Sequence, residues 1–420
     1  VAAYNPAYQP VEDLDVAMMN LAESLWMTGE RQEGIEMSKK VLRHREENMK
    51  KSDPRLIRTR RKVAEYLYGS YQRREALEMR EQCLSDTEER EDPTEVEYLD
   101  ILATSNALAD SYQWDGQLLK ALGLREEVYE GRYKFLGPKH PDTLLAYDRV
   151  LGIKSRMGQS TKSRGETCLR RERLVHTWKI TLGDVHPYTL EARVNLGHSY
   201  SANGRLDEAL KEQKAVLDVR NCQVNEKRMA KHDPSYLSSM GNVANILSKM
   251  ERFEEALDMR IAAQKVAEEY YGKDDRTALK LTHHVATCQA SRGTDQLRKT
   301  AMETRRSILE KQRRLFNEND PDILETMSLL AVDLAYLGKR EESVQIRRDL
   351  LIKQRSVLGE RSHDTLRNMK ELAKALADGI SLREHQEAAE LLEKGEQIEI
   401  ESLGEENIHV QGAKVQLDHV

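Results

Sequence analysis

Two adjacent histidines, His283 and His284, are the residues whose types most suggest chemistry in this sequence. Neighbouring residues on a helix point about 100° apart, so the pair cannot hold one metal ion from one helix face. The sequence contains no Gly-x-x-x-x-Gly-Lys-Ser/Thr phosphate loop and no His-Glu-x-x-His, Cys-x-x-Cys or Gly-x-Ser-x-Gly motif. We therefore predict groove or surface histidines, no metal site, no cofactor and no enzymatic activity.

An arginine recurs at one offset in four similar stretches, as Arg80, Arg125, Arg260 and Arg347. A residue that repeats in this way is expected to have a shared structural role. Its stem can cover apolar surface while its guanidinium pairs with a neighbouring acid. A role in ligand binding is the alternative.

The composition favours an extended helical protein over a compact globule. Only 39% of the 420 residues are hydrophobic and 33% are charged, which suits stacked helical pairs with a large surface. An aromatic content of 5% disfavours many β-strands. The net charge of −6 argues against a general nucleic-acid binder, which needs a positive field.

Cysteine spacing and hydropathy indicate a cytoplasmic protein. Cys83, Cys168, Cys222 and Cys288 lie dozens of residues apart, as expected for reduced thiols. No apolar run reaches 18 residues, so we expect no association with a membrane. The first repeat follows Val1 almost at once, and we expect a larger parent protein.

The elements that would position any functional residue come from a repeated pattern. A Gly followed by a His-Pro-x-Thr-Leu start occurs at Gly137 and Gly183, and returns in weaker form at Gly272, Gly359 and Gly404. Fixed-period similarity of this length indicates a solenoid, in which each unit contacts mainly its neighbours.

The stretch 189–220 serves as the reference unit. Leu190, Leu196 and Tyr200 share one helical face, Gly204 turns the chain, and Ala209 opens the stripe of a second helix. The unit is therefore an αα-hairpin. The apolar anchor at Leu196 is repeated in the other units as Leu21, Val63, Leu108, Val150, Val243, Val285, Leu330 and Leu372.

These positions predict an all-α fold, a right-handed α-solenoid of about nine helix-turn-helix repeats with a C-terminal half-repeat, in one domain over 1–420. The predicted repeats are 12–53, 54–92, 93–140, 141–186, 187–233, 234–275, 276–320, 321–362 and 363–407, with the half-repeat at 408–420. Turn glycines are expected at Gly29, Gly116, Gly158, Gly204, Gly293 and Gly338. Two departures from the pattern are Glu251, in place of a turn glycine, and Arg298, in place of the alanine of the second helix.

The pattern Leu-Ala/Gly-x-x-Tyr/Leu, then Gly, then Ala resembles the tetratricopeptide repeat. The stretches ALEMREQCL from Ala76 and ALDMRIAAQ from Ala256 narrow the resemblance to the long repeats of kinesin light chain, nephrocystin-type proteins and the arrays of fungal or bacterial NACHT and NB-ARC proteins. The resemblance covers nearly the whole chain. It implies a concave groove, lined by the first helix of each pair, that binds a peptide or a partner protein.

By this resemblance, groove positions in the N-terminal half carry basic and aromatic residues. The basic residues are Arg58, Arg61, Lys62, Arg149 and Arg156, and the aromatic residues are Trp26, Tyr68 and Trp114. Such a set suits an acidic peptide with aromatic or leucine anchors, the kind of cargo that the groove of kinesin light chain takes. Two alternatives stay open: Trp26 and Trp114 could pack beneath the groove, and Glu23, Glu65 and Asp110 could pair internally with the basic residues.

Groove positions in the middle of the array carry Asn195, Asn242, Asn245 and Lys249. Asparagine side chains can bond the backbone of an extended peptide without reading its sequence. A chaperone-type clamp for a terminal carboxylate is disfavoured, because His198 and His284 stand where Asn and Arg or Lys are expected.

The leading functional hypothesis is a protein-binding scaffold with no catalytic activity, whose ligand is a peptide or partner protein, in particular an acidic one. The alternative is a ligand-sensing or autoinhibitory arm of a NACHT/NB-ARC-type signalling ATPase, packed against its own N-terminal domain outside this sequence. Neither hypothesis involves nucleic acid or a membrane.

Overall fold

The computed structural model describes residues 10–28, 30–70, 72–88, 94–157 and 161–403. Over these residues the chain forms helices that pack in sequential pairs, consistent with a tetratricopeptide-like solenoid of about nine repeats. The predicted half-repeat at 408–420 lies outside the described residues. The all-α class and the paired-helix repeats are confirmed.

The helices fall into two compact units that divide between Val150 and Leu151, within α7. The first unit contains α1 (Pro10–Thr28), α2 (Arg31–Asn48), α3 (Pro54–Gly69), α4 (Arg73–Glu88), α5 (Glu95–Trp114) and α6 (Leu118–Leu136), and the helix at the division is α7 (Pro141–Arg156). The second unit continues with α8 (Thr161–Leu182), α9 (Pro187–Ala202), α10 (Leu206–Asn225), α11 (Pro234–Lys249), α12 (Phe253–Tyr271), α13 (Arg276–Ser291), α14 (Asp295–Leu315), α15 (Pro321–Tyr336), α16 (Arg340–Val357), α17 (His363–Ala377) and α18 (Leu382–Leu403). From α1 to α6, and again from α8 to α18, each helix contacts the next one along the chain.

In several repeats the first helix begins with a polar capping residue followed by a proline. The Asp53 carboxylate accepts a hydrogen bond from the backbone N–H of Arg55 at 2.8 Å, and Asp233 accepts one from Ser235 at 2.8 Å. The cap satisfies an N–H that has no partner inside the helix, and the proline supplies a helical φ without needing a donor. Helices α3 and α11 therefore begin at Pro54 and Pro234, the first residues of two predicted repeats.

The turns inside the hairpins adopt the predicted left-handed conformation. Gly204 has φ +74°, and Glu251, which replaces the glycine in the sixth repeat, has φ +61°. The turn geometry is thus kept where the sequence departs from glycine, at the steric cost of a side chain in that region. Gly29 and Gly158 lie outside the described residues.

The expectation that Arg298 replaces the small residue of the second helix is wrong. Ala301 is fully buried and packs against Ala286, in the place that Ser343 takes against Ala331 in the next repeat. Ala301 is the seventh residue of α14, whereas Ser343 is the fourth residue of α16, so α14 has almost one more turn before the small residue. Counting from the turn glycine at the offset of the other repeats therefore ends at Arg298, almost one helical turn before Ala301.

The predicted anchors form the core of the repeats, with one exception. Buried anchors are Val63, Leu108, Val150, Leu196, Val243, Val285, Leu330 and Leu372, each at most 8% exposed. Leu21 in α1 is 49% exposed, although Ala22 beside it is fully buried against α2. The difference arises because no described helix precedes α1.

None of the described helices is long and apolar enough to cross a membrane.

Candidate functional site

A cavity of about 470 Å³ opens between α1 and α3 in the first unit, and we call it the α1–α3 cavity. Its lining residues are Val16, Met19, Asn20, Glu23, Arg45, Arg55, Arg58, Thr59, Arg61, Lys62 and Glu65. The structure therefore brings together three of the predicted residues, Arg58, Arg61 and Lys62. All three belong to α3, and they share one face of it because residues three and four apart lie on the same side of a helix.

Carboxylates already pair with these basic side chains to different degrees. The Lys62 ammonium lies 3.2 Å from a Glu23 carboxylate oxygen and 3.4 Å from one of Glu65. Burial lowers the pKa of Lys62, but the Glu65 and Glu23 carboxylates outweigh it and leave the pKa above its ordinary value. The internal pairing foreseen as an alternative is therefore present at Lys62.

Two of the four arginines of the cavity, Arg58 and Arg61, share Asp100 of α5. Arg61 reaches the Asp100 carboxylate at 3.3 Å and is 28% exposed. Arg58 is 70% exposed, and its guanidinium lies 3.9 Å from the same carboxylate. Arg58 is thus the more accessible of the two for an added anion.

Arg45 and Arg55 belong to the cavity but were not predicted. Arg45 is buried on the second helix α2, where it donates to Asp15 at 3.1 Å and to Thr59 at 2.6 Å. The predicted groove positions were all on the first helix of each pair, so they could not include Arg45. Arg55 pairs with the cap Asp53 at 3.0 Å.

The aromatic residues pack between neighbouring helices and are not among the described residues that line the cavity. Trp26 stacks on Tyr66 with ring centroids 4.8 Å apart, and Gly69 leaves room for the indole, since a Cβ there would lie 2.7 Å from the ring. The guanidinium of Arg73 lies 5.1 Å from the Tyr68 ring and 5.4 Å from the Trp114 ring. This placement favours the packing alternative for Trp26 and Trp114.

The basic residues of the fourth repeat lie outside the α1–α3 cavity. Arg149 is about half exposed and lies 4.0 Å from Asp110. Arg156 is exposed in the second unit. Arg156 lies near Asp364. The hydrogen bond with His363 lowers the pKa of Asp364, and the positive charges of Arg367 and Arg156 lower it further.

A second cavity, of about 410 Å³, lies along α11, α13 and α15 in the second unit, and we call it the α11–α15 cavity. Its lining includes the predicted Asn242 and Asn245, together with His283 and His284. The Asn245 side-chain oxygen accepts a hydrogen bond from buried Arg260 at 2.5 Å. The amide of Asn245 is therefore oriented by the second helix behind it.

Both histidines of this cavity are held neutral. Burial lowers the pKa of His283 to about 3, helped by the charge of Arg305, and lowers that of His284 to about 4, helped by Arg260 and Lys280. His283 is only 4% exposed, so it is a core histidine and not a surface one. No group of three or more His, Cys, Asp or Glu side chains that could hold a metal ion occurs among the described residues.

The remaining predicted residues are not among those that line the α11–α15 cavity. Asn195 is partly buried, and its backbone oxygen accepts a bond from Arg171 at 3.0 Å. Lys249 is exposed and donates to the Ser201 hydroxyl at 2.7 Å.

The recurring arginine of the second helices has the structural role predicted for it. Arg80 donates to the Ala107 carbonyl and the Ser111 hydroxyl of the following helix, both at 2.8 Å. The buried members of this column are Arg80, Arg125, Arg171, Arg260, Arg305 and Arg347. Their guanidinium groups donate hydrogen bonds from one helix to another. The acceptor is a carbonyl or hydroxyl oxygen in some repeats and a carboxylate in others.

A family model described as tetratricopeptide repeat matches residues 189–221 and 237–276. These segments contain the hairpin turn and the anchors at Leu196 and Val243 that define the pattern. The chain therefore contains tetratricopeptide repeats. Such repeats are typically non-catalytic.

This tetratricopeptide-repeat protein has distant structural similarity to solved arrays. The apo form of the quorum sensor NprR from B. thuringiensis is 13% identical with a TM-score of 0.54, covering 83% of this chain and 89% of that one. A putative kinesin light chain with nearly identical TPR-like repeats from Podosopora anserina is 22% identical with a TM-score of 0.43, covering 52% of this chain and 97% of that one. The comparison with curated proteins gives no match.

Proposed function

We propose that this tetratricopeptide-repeat protein is a non-catalytic scaffold that binds a peptide or partner protein on its first helices, and that the α1–α3 cavity receives an acidic segment. The observation that supports the proposal is the charge of that cavity. Five basic side chains and two glutamates line it. Concentrated positive charge in a concave surface attracts an anionic ligand and orients it.

The exposed ion pairs of the cavity can be exchanged at small cost. Arg58 is 70% exposed and 3.9 Å from Asp100, and exposed pairs of this kind are worth about 0–1 kcal/mol. A ligand carboxylate can therefore take the place of Asp100 beside Arg58. Arg45, which is buried and bonded to Asp15 and Thr59, keeps the wall in place.

Apolar contact in the cavity comes from α1. Val16 and Met19 line the wall, and Val16 is 51% exposed. A leucine or aromatic side chain of the ligand would cover this surface, which adds burial to the charge pairing. The ligand expected here is an acidic peptide with one large apolar residue.

The proposal is tested by titrating a fluorescein-labelled acidic peptide that contains tryptophan. Arg58→Glu is expected to weaken binding at least tenfold, because it replaces the most accessible cation with an anion. Arg74→Glu is the matched control, since Arg74 is a 92% exposed arginine of the same unit whose ion pair among the described residues is with Glu78 on its own helix. Binding to wild type should also weaken as salt is added. Equal affinity of wild type and Arg58→Glu for the peptide would reject this site.

In the second unit we propose that Asn242 and Asn245 bond the backbone of an extended segment in the α11–α15 cavity. The support is their common place in that lining, with Asn245 oriented by Arg260. Roles in binding for Trp26, Tyr68, Trp114, Arg149, Arg156, Asn195 and Lys249, the sensor-arm alternative and the cytoplasmic location stay predictions.

A further inference from the structure

Helix α1 exposes a stripe of four apolar side chains, Leu14, Met18, Leu21 and Leu25, which we call the α1 stripe. Their spacing of four, three and four residues places them on one helix face. Leu14 is 57% and Leu21 49% exposed, and the other two are partly buried. Leu21 is the anchor position that is buried in all the other repeats.

The equivalent stripe of the eighth repeat is fully covered. On α15 it consists of Ile323, Met327, Leu330 and Leu334, each at most 2% exposed. The same apolar cluster includes Met302 and Leu309 of the preceding second helix α14, together with Leu350 of α16. The α1 stripe therefore has the composition and spacing of a surface that accepts a helix alongside it.

The charges of the helices indicate which kind of helix fits. Helix α1 contains four acidic residues and no basic one. Asp15 is paired with Arg45 and Glu23 with Lys62, and Glu12 and Asp13 leave α1 with a negative charge in excess of these pairs. Helix α14, which covers the equivalent stripe, contains seven basic and three acidic residues.

A second copy of this chain is a poor occupant on the same grounds. Pairing of α1 with α1 would bring two acidic helices together. Stacking the last described helix, α18, on α1 would do the same, because α18 contains seven acidic and two basic residues. Like charges placed opposite one another oppose association.

We propose that the α1 stripe docks an amphipathic helix of a partner protein, one that carries more basic than acidic residues, in the position that α14 takes against α15. This surface is distinct from the α1–α3 cavity. The cavity is lined from α1 by Val16, Met19, Asn20 and Glu23, and by none of the four stripe residues. The docking site can therefore exist whether or not the cavity binds an acidic peptide.

The test uses the full chain and two labelled peptides taken from its own sequence. The basic probe is Asp295–Leu315, the helix that covers the equivalent stripe, and the acidic probe is Leu382–Leu403. Fluorescence anisotropy is expected to show saturable binding of the basic probe to wild type. The acidic probe is expected to bind at least tenfold more weakly.

Variants locate the site. The double variant Leu14→Gln, Leu21→Gln is expected to bind the basic probe at least tenfold more weakly than wild type. Both leucines are about half exposed, so the fold is expected to survive, and circular dichroism checks this. Ile352→Gln, at a 69% exposed position of α16, is the matched control and should bind as wild type does.

Three results would overturn the proposal. The first is the absence of saturable binding of the basic probe to wild type. The second is equal binding by wild type and the double leucine variant, or equal affinity for the two probes. The third is a dimer in sedimentation velocity that dissociates in the double leucine variant, since a second copy would then be the occupant.

Discussion

Acidification from pH 7.5 to 5.5 is expected to destabilise the second unit through its two neutral histidines. The folded-state pKa is about 3 for His283 and about 4 for His284, against about 6.5 in an unfolded chain. The unfolded state therefore binds more protons over this range. The stabilising contribution is present above pH 6.5 and is lost as the pH falls toward 4.

The magnitude follows from the proton difference between the two states. At pH 5.5 about nine-tenths of an unfolded histidine is protonated, whereas both folded histidines stay almost entirely neutral. Each histidine then lowers the free energy of unfolding by about 1.4 kcal/mol between pH 7.5 and 5.5. The pair together should lower it by roughly 3 kcal/mol.

Urea denaturation followed by circular dichroism at both pH values measures this loss. His283→Leu removes one titrating group and is expected to shrink the pH-dependent loss by about 1.4 kcal/mol, whatever its effect on stability at pH 7.5. His176→Leu is the control, because His176 is an exposed histidine of the same unit. An identical pH-dependent loss in wild type and His283→Leu would refute the reasoning.

Two further predictions concern contacts between helices. Asp333→Ala should lower the free energy of unfolding in urea by about 3–5 kcal/mol, because it leaves Arg305 charged and buried. The double variant Arg305→Met, Asp333→Leu should recover most of the loss. Equal stability of Asp333→Ala and wild type would contradict this. Gly34→Ala should lower the thermal midpoint, since its Cβ would lie 2.9 Å from the main chain of α1, whereas Gly123→Ala, with open space around it, should raise stability by about 0.5–1 kcal/mol; a higher midpoint for Gly34→Ala would contradict the first half.

Local signals explain why most of the fold could be read from the sequence. Caps such as Asp53 and turns such as Gly204 depend on residues within a few positions of each other. Helical periodicity likewise places Leu196 and its equivalents on one face, and burial follows once that face meets a neighbour. The misplacement of Arg298 arose because nothing local signals the extra length of α14 before Ala301.

The candidate site was predicted only in part, because partners distant in sequence decide the state of each side chain. The predicted groove positions included Arg58 and Arg61, but the sequence did not indicate that Asp100 of α5 would face both. They identified Trp26 as an aromatic groove residue, whereas the structure stacks it on Tyr66. Arg45 was missed because it reaches the cavity from a second helix.

Residue spacing along one helix or one turn is enough to specify the repeating hairpins, their starts and turns, and the apolar positions that recur from repeat to repeat. Which of these recurring apolar residues are covered depends on the packing of neighbouring helices. Leu21 and Leu330 occupy the same repeat position, yet one is 49% and the other 2% exposed. The physical reason is that burial depends on the helix that lies alongside, and a residue's own sequence neighbours do not specify whether that helix is there.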